Sequence, residues 1–148
     1  MEKPEATPLI LIADDDPDDR MMIQEAFEER CPVCRLDFVQ DGEELMAFLG
    51  DGSLEGRNAG ANSLPDMLLL DLNMPLKDGR ESLLDIRKYP VYAVMPIVVM
   101  TTSDSDDGRQ FCLDNGADDY LVKPASYTEF LDAIQSLQRY FLTTKGSH

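Results

Sequence analysis

Five short apolar segments constrain this chain more than anything else in it: Leu9–Ala13, Leu36–Val39, Met67–Leu72, Ile97–Thr101 and Tyr120–Val122. Each is followed by a stretch of helical character. Their starts lie 23 to 31 residues apart, enough for a strand, a loop, a helix and a second loop. Strands that alternate with helices predict a parallel sheet covered on both faces. Leu9-Ile10-Leu11-Ile12, Met67-Leu68-Leu69-Leu70 and Ile97-Val98-Val99-Met100 are apolar without interruption. Central strands buried on both faces have this character. Leu36-Asp37-Phe38-Val39 is mixed and belongs nearer an edge.

The helices are marked by their punctuation. Asp16 can cap, Pro17 suits a first helical position, and Asp18 and Asp19 favour the positive end of a helix that runs to about Arg30. In this reading all three acidic residues serve the helix end, which directs Asp18 and Asp19 away from any functional rim. Gly42–Leu49 reads as a short second helix, and the Gly-, Ser- and Asn-bearing stretch Gly50–Leu64 as a long loop. Gly79–Lys88 is a third helix ended by Pro90, and Asp106–Asn115 a fourth stopped by Gly116. Ser126–Leu142 is a fifth, with Tyr127, Phe130, Leu131, Ile134, Leu137 and Phe141 at helical spacing.

The 148 residues suit one domain, predicted over residues 8–142 between tails at 1–7 and 143–148. No apolar run approaches the roughly 18–20 residues that span a bilayer, and Met1-Glu2-Lys3-Pro4-Glu5 lacks the basic start of a signal peptide. A soluble, cytoplasmic chain is expected. Thirteen Lys and Arg stand against 29 Asp and Glu, a net charge of −16. Such a balance argues against nucleic acid or an anionic membrane as a partner, since both need cationic neutralisation. Cys31, Cys34 and Cys112 read as reduced thiols. Cys31-Pro32-Val33-Cys34 has no second CxxC to complete a zinc site, and is read as a helix end followed by a turn.

In an open parallel sheet, functional residues gather beyond the carboxyl ends of the strands. Asp14, Asp15 and Asp16 follow the first strand and Asp71 closes the third. Thr101, Thr102 and Ser103 end the fourth, and Lys123 and Pro124 follow the fifth. A charge closing an apolar strand, as at Asp71 and Lys123, is expensive without a purpose. Clustered carboxylates repel unless a cation sits among them, and a hard divalent ion with oxygen ligands, Mg2+, resolves this. An aspartate beside such an ion can accept a phosphoryl group, while a lysine and a threonine hydroxyl hold two of its oxygens.

Six pieces of the chain resemble, in order, the receiver domain of two-component response regulators. They are Leu11-Ile12-Ala13-Asp14-Asp15-Asp16, Leu69-Leu70-Asp71-Leu72-Asn73-Met74-Pro75, Asp78-Gly79, Val99-Met100-Thr101-Thr102-Ser103, Asn115-Gly116-Ala117 and Tyr120-Leu121-Val122-Lys123-Pro124. The resemblance implies a flavodoxin-like, doubly wound (βα)5 fold with strand order 2-1-3-4-5. It also implies that Asp71 accepts a phosphoryl group from a sensor histidine kinase. Asp15 would ligate Mg2+ directly, Asp14 through water, and Asn73 through its backbone carbonyl. Thr101 and Lys123 would grip the phosphoryl oxygens, and Tyr120 would be an aromatic switch that turns inward when Thr101 moves. The Lys123–Pro124 peptide would be cis.

Thr102 is larger than the Ala or Gly often found at its position, and Asn73 and Ser103 flank the route of a hydrolytic water. The long loop resembles a subgroup of stand-alone receivers that includes partners of bacteriophytochrome kinases. With no output domain after the fifth helix, the signal is expected to leave by a surface. The outlets are a downstream protein, a histidine phosphotransfer protein in a phosphorelay, or a homodimer. Tyr127, Tyr140, Phe141 and Leu142 would contribute to that surface. A receiver is a phosphoacceptor rather than an enzyme. Two other classes fit less well. A phosphatase of the haloacid dehalogenase type needs a second aspartate two residues after the first, where this chain has Asn73. A flavodoxin-like nucleotide binder needs a Gly-rich phosphate loop where this chain has Asp14–Asp16.

Overall fold

The computed structural model describes residues 7–50 and 64–142. Strands β1 (Leu9–Ala13), β2 (Arg35–Val39), β3 (Met67–Leu70), β4 (Ile97–Thr101) and β5 (Asp119–Val122) alternate with helices. The helices are α1 (Pro17–Arg30), α2 (Gly42–Leu49), α3 (Gly79–Arg87), α4 (Asp106–Asp114) and α5 (Tyr127–Phe141). The sheet is parallel throughout, as the alternation of strands and helices predicts, in the order β2-β1-β3-β4-β5 that the family resemblance implies.

Period-two alternation makes two cores from the same three central strands. Ile10, Ile12, Met67, Leu69, Val98 and Met100 face α1 and α5, where they meet Ile23, Phe27, Phe130, Ile134 and Phe141. Leu11, Ala13, Leu68, Leu70, Ile97 and Val99 face the other way, toward Leu45, Leu49, Leu83, Ile86 and Cys112. All residues of β1, β3 and β4 are buried, whereas the mixed strand β2 is partly open and lies at an edge.

Asp16 caps α1 as its sequence position predicts, accepting from the Asp18 N–H at 2.9 Å, and Pro17 is the first helical residue. Several boundaries differ from expectation by a residue or two. β3 ends at Leu70, although the Asp71 N–H still reaches the Ala13 carbonyl at 3.0 Å. Pro90 does not end α3. The helix stops at Arg87, and Pro90 opens a 3-10 turn, Pro90–Tyr92. That turn buries Tyr92, whose hydroxyl donates to the Leu49 carbonyl. The Lys123–Pro124 peptide is trans, against expectation, as is every peptide bond among the described residues. Trans is the lower-energy form of an X–Pro bond.

Tyr127, Tyr140 and Leu142 are not a spare apolar face. They pack against the α1–α5 core, where Phe141 is buried beside Phe27. The Tyr127 hydroxyl donates to Glu29 at 3.0 Å and that of Tyr140 to Asp119 at 2.9 Å. Cys31 caps the end of α1 and Cys34 donates to its sulfur at 2.8 Å, both as free thiols. Most of the loop predicted over Gly50–Leu64, and nearly all of the two tails, lie outside the described residues.

The approach of α3 to β3 determines where Asp71 ends up. The Gly79 N–H donates to the Leu72 carbonyl at 3.0 Å. A Cβ on residue 79 would sit 2.5 Å from the Asp71 carbonyl oxygen and 2.7 Å from Leu72 Cα. Gly79→Ala should therefore destabilise the protein by about 1–3 kcal/mol. Exposed Leu76 has φ 69 in the same loop. Relief of that left-handed conformation, about 1–2 kcal/mol, should outweigh the chain entropy of Leu76→Gly, about 0.5–1 kcal/mol. Urea denaturation should give a lowered midpoint for the first variant and an equal or raised midpoint for the second.

Candidate functional site

The carboxyl ends of β1, β3, β4 and β5 meet at one rim. The parallel pairing sets Ala13 beside Leu70 and Thr101 beside Val122. The residues that follow each strand are thereby brought together. Asp14, Asp71 and Thr101 are all buried, and Asp15 is exposed beside them. Ligand oxygens of Asp14, Asp15 and Asp71 lie within 4.8 Å of one another.

Backbone donors orient the buried carboxylates. Asp14 Oδ1 accepts from the Asp16 N–H at 2.9 Å, and Asp71 Oδ1 from the Asn73 N–H at 3.1 Å. Their other oxygens face Lys123, whose Nζ is 3.0 Å from Asp14 Oδ2 and 3.2 Å from Asp71 Oδ2. Lys123 is itself fixed to β4 by its backbone N–H, which donates to the Thr101 carbonyl at 2.7 Å.

Burial dominates the electrostatics. It lifts Asp14 to about 6, against the pull of the Asp16 N–H and of Lys123. It raises Asp71 as well, again opposed by a backbone N–H and by Lys123. For Lys123, burial alone would favour the neutral amine. The hydrogen bond to Asp19, followed by the charges of Asp71 and Asp14, outweighs it and holds the ammonium above the usual lysine range. Lys123 thus serves as the internal cation of a site with too few positive charges. Three converging carboxylates, two of them buried, are a hard-oxygen donor set that suits a divalent cation.

Asp19 is the residue that sequence reasoning misplaced. It is no mere dipole partner directed away from the rim. Its Oδ2 lies 2.6 Å from Lys123 Nζ. The missed signal is its place as third residue of α1. Side chains tilt toward the N-terminus of a helix, and this position reaches back over the cap. Asp16 and Asp18 behave as expected.

Beside the carboxylates, Thr101 Oγ1 accepts from Asn73 Nδ2 at 3.5 Å and from the Ser103 N–H at 3.3 Å. The Ser103 carbonyl accepts from the Tyr120 hydroxyl at 2.9 Å. Tyr120 is buried, so its ring already points inward, with the Arg109 guanidinium 4.8 Å from the ring centroid. Thr102 is exposed beside Thr101.

Comparison with known proteins shows the family and the fold. The family model described as the response regulator receiver domain matches residues 10–135. A probable methanogenesis regulatory protein, FilR2 of Methanothrix harundinacea, is 33% identical over 90% of this chain and 83% of its own. Response regulator Rcp1 of Synechocystis is 31% identical over 92% of this chain and 90% of its own. The Mn(2+)-bound form of a response regulator Rcp1, 31% identical, superposes with a TM-score of 0.77, covering 93% of this chain and 96% of that one. The phosphorylated cyanobacterial phytochrome response regulator RcpA, 31% identical, superposes with a TM-score of 0.81 over 94% of this chain and 96% of that one.

The elevated Asp14 gives a pH test. A carboxyl whose folded pKa exceeds its unfolded value binds its proton more tightly in the folded state. Acidification through that range therefore stabilises the fold. The chelator-treated protein should melt at a higher temperature near about pH 5 than near about pH 7.5, and Asp14→Asn should shrink that difference. Divalent-cation affinity, measured by calorimetry, should move the opposite way and weaken as pH falls through about 6.

Proposed function

The chain belongs to the response regulator receiver domain family, and from that premise we propose that Asp71 accepts a phosphoryl group from a phosphohistidine of a sensor histidine kinase. The observation that carries this reading is a buried strand-end carboxylate paired with a largely covered ammonium, next to two further carboxylates. An Asp71 oxygen attacks phosphorus, the P–N bond of the phosphohistidine breaks, and an acyl phosphate forms. Burial raises the proton affinity of Asp71, while the Asn73 N–H and Lys123 favour the anion needed for attack. Mg2+ held by Asp14, Asp15, Asp71 and the Asn73 carbonyl would supply charge neutralisation for the phosphoryl oxygens. Lys123 and the Thr101 hydroxyl would bind two of those oxygens.

The link from Thr101 through Ser103 to Tyr120 supports an output route. If the Thr101 hydroxyl turns to a phosphoryl oxygen, the Ser103 N–H loses its acceptor. The Ser103 carbonyl is the group that holds Tyr120. Motion of this segment would change the surface formed by α4, β5 and α5, where Leu113 and Val122 are exposed. That surface would engage a second copy of the chain, a downstream protein or a histidine phosphotransfer protein, in the cytoplasm. The likeness to RcpA, a cyanobacterial phytochrome response regulator, favours a phytochrome-type kinase as the phosphoryl donor. The phosphatase reading is disfavoured by Asn73, whose amide has no proton-donating acid to offer a leaving group.

Incubation with acetyl phosphate and Mg2+ should add one phosphoryl group, seen in the intact mass, and Asp71→Asn should abolish it. An undiminished adduct in that variant would reject the acceptor assignment. Light scattering with and without beryllofluoride and Mg2+ should show a larger mass in the activated state if the partner is a second copy. A single monomeric mass in both states would leave a hetero-partner as the outlet.

A further inference from the structure

Lys123 is held by three carboxylates, and the nearest of them does not belong to the acidic cluster at the strand ends. Asp19 Oδ2 lies 2.6 Å from Nζ, compared with 3.0 Å for Asp14 and 3.2 Å for Asp71. The side chain of Asp19 is only 18% exposed. Its contact is not needed to finish α1, because Asp16 already caps the helix and Asp18 supplies an exposed acidic residue to the same turn.

An ammonium has three N–H donors. Those that Lys123 gives to Asp14 and Asp71 neutralise the same carboxylates that a divalent cation would use. The donor given to Asp19 does not. We propose that Asp19 is a positioning residue for Lys123. It draws the ammonium toward α1, which loosens its hold on Asp14 and Asp71 and eases the transfer of those two donors to a phosphoryl oxygen once a cation takes over the carboxylates. Without Asp19, the ammonium moves further onto Asp14 and Asp71, which it already contacts, and competes more strongly with the metal. This inference rests on the reading of Asp14, Asp15 and Asp71 as a divalent-cation site.

Removing the Asp19 charge weakens cation binding in two ways, and both have the same sign. The site loses nearby negative charge, and Lys123 redistributes onto the ligands. Asp18→Asn removes a charge one residue away without touching Lys123, so it isolates the first effect. A Lys123→Met background isolates the second, because no ammonium remains to redistribute.

Calorimetric titration with Mg2+ should show Asp19→Asn weakening affinity by roughly 3- to 10-fold beyond the loss in Asp18→Asn. In the Lys123→Met background, the extra loss should disappear. Equal losses in Asp19→Asn and Asp18→Asn would overturn the proposal, as would an extra loss that survives in Lys123→Met. If Lys123→Met does not fold, a Lys123→Gln background, which also removes the ammonium, serves in its place. A wild-type protein that binds no Mg2+ would overturn the cation site together with this inference. Wild-type binding with no Asp19 effect would overturn the inference only.

Discussion

Two buried carboxylates share one largely covered ammonium, and the functional end of this molecule depends on that pairing. Taking Asp14 and Asp71 out of water costs several kcal/mol per ion, which appears in the upward shift of both carboxyl groups. Lys123 offsets the cost only in part, since it also serves Asp19 and stands against a cluster that includes Asp15. The rim remains short of positive charge. That shortage is what makes it receptive to a cation and keeps an anionic group from resting there without one.

The sheet supplies the rigidity this arrangement needs. Asp14 and Asp71 follow neighbouring strands, and hydrogen bonds fix their backbones, from the Asp14 N–H to Val39 and from the Asp71 N–H to Ala13. Beneath them, β1, β3 and β4 are buried on both faces by two separate cores. Both carboxylates are thereby held buried at the ends of packed strands. Gly79 adds a constraint from the side, because only a residue without Cβ lets α3 press against the backbone of Asp71. The links at the rim that can be exchanged one for another are polar, such as those of the Thr101 hydroxyl to Asn73 and Ser103.

Asp19 shows how a helix end can do two jobs. The first turn of α1 needs an acceptor for its free amides, and Asp16 provides it. Acidic residues in that turn are favoured by the helix dipole whatever else they do. A carboxylate with a local reason to exist can therefore carry a second role that nothing nearby in the sequence announces.

The fold was legible in the sequence because its causes are local. Short uninterrupted apolar runs bounded by turn signals suit strands covered on both faces, and Asp16-Pro17 and Asn115-Gly116 punctuate helices by backbone chemistry. Asp71 and Lys123 stood out for a related reason, as charges closing apolar strands. Tertiary structure decided the rest. The partner of Asp19 lies 104 residues away, and only the crossing of α1 over the rim brings the two together. The inward position of Tyr120 depends on the Ser103 carbonyl, contributed by another strand's loop. The aromatics of α5 that the sequence left over are consumed by α1 and β5. Periodicity and capping are written in consecutive residues, so the sequence alone determined the elements and their order. Which charged atoms share a donor, and which rings are buried, are properties of distance in space, and only the packed chain sets those distances.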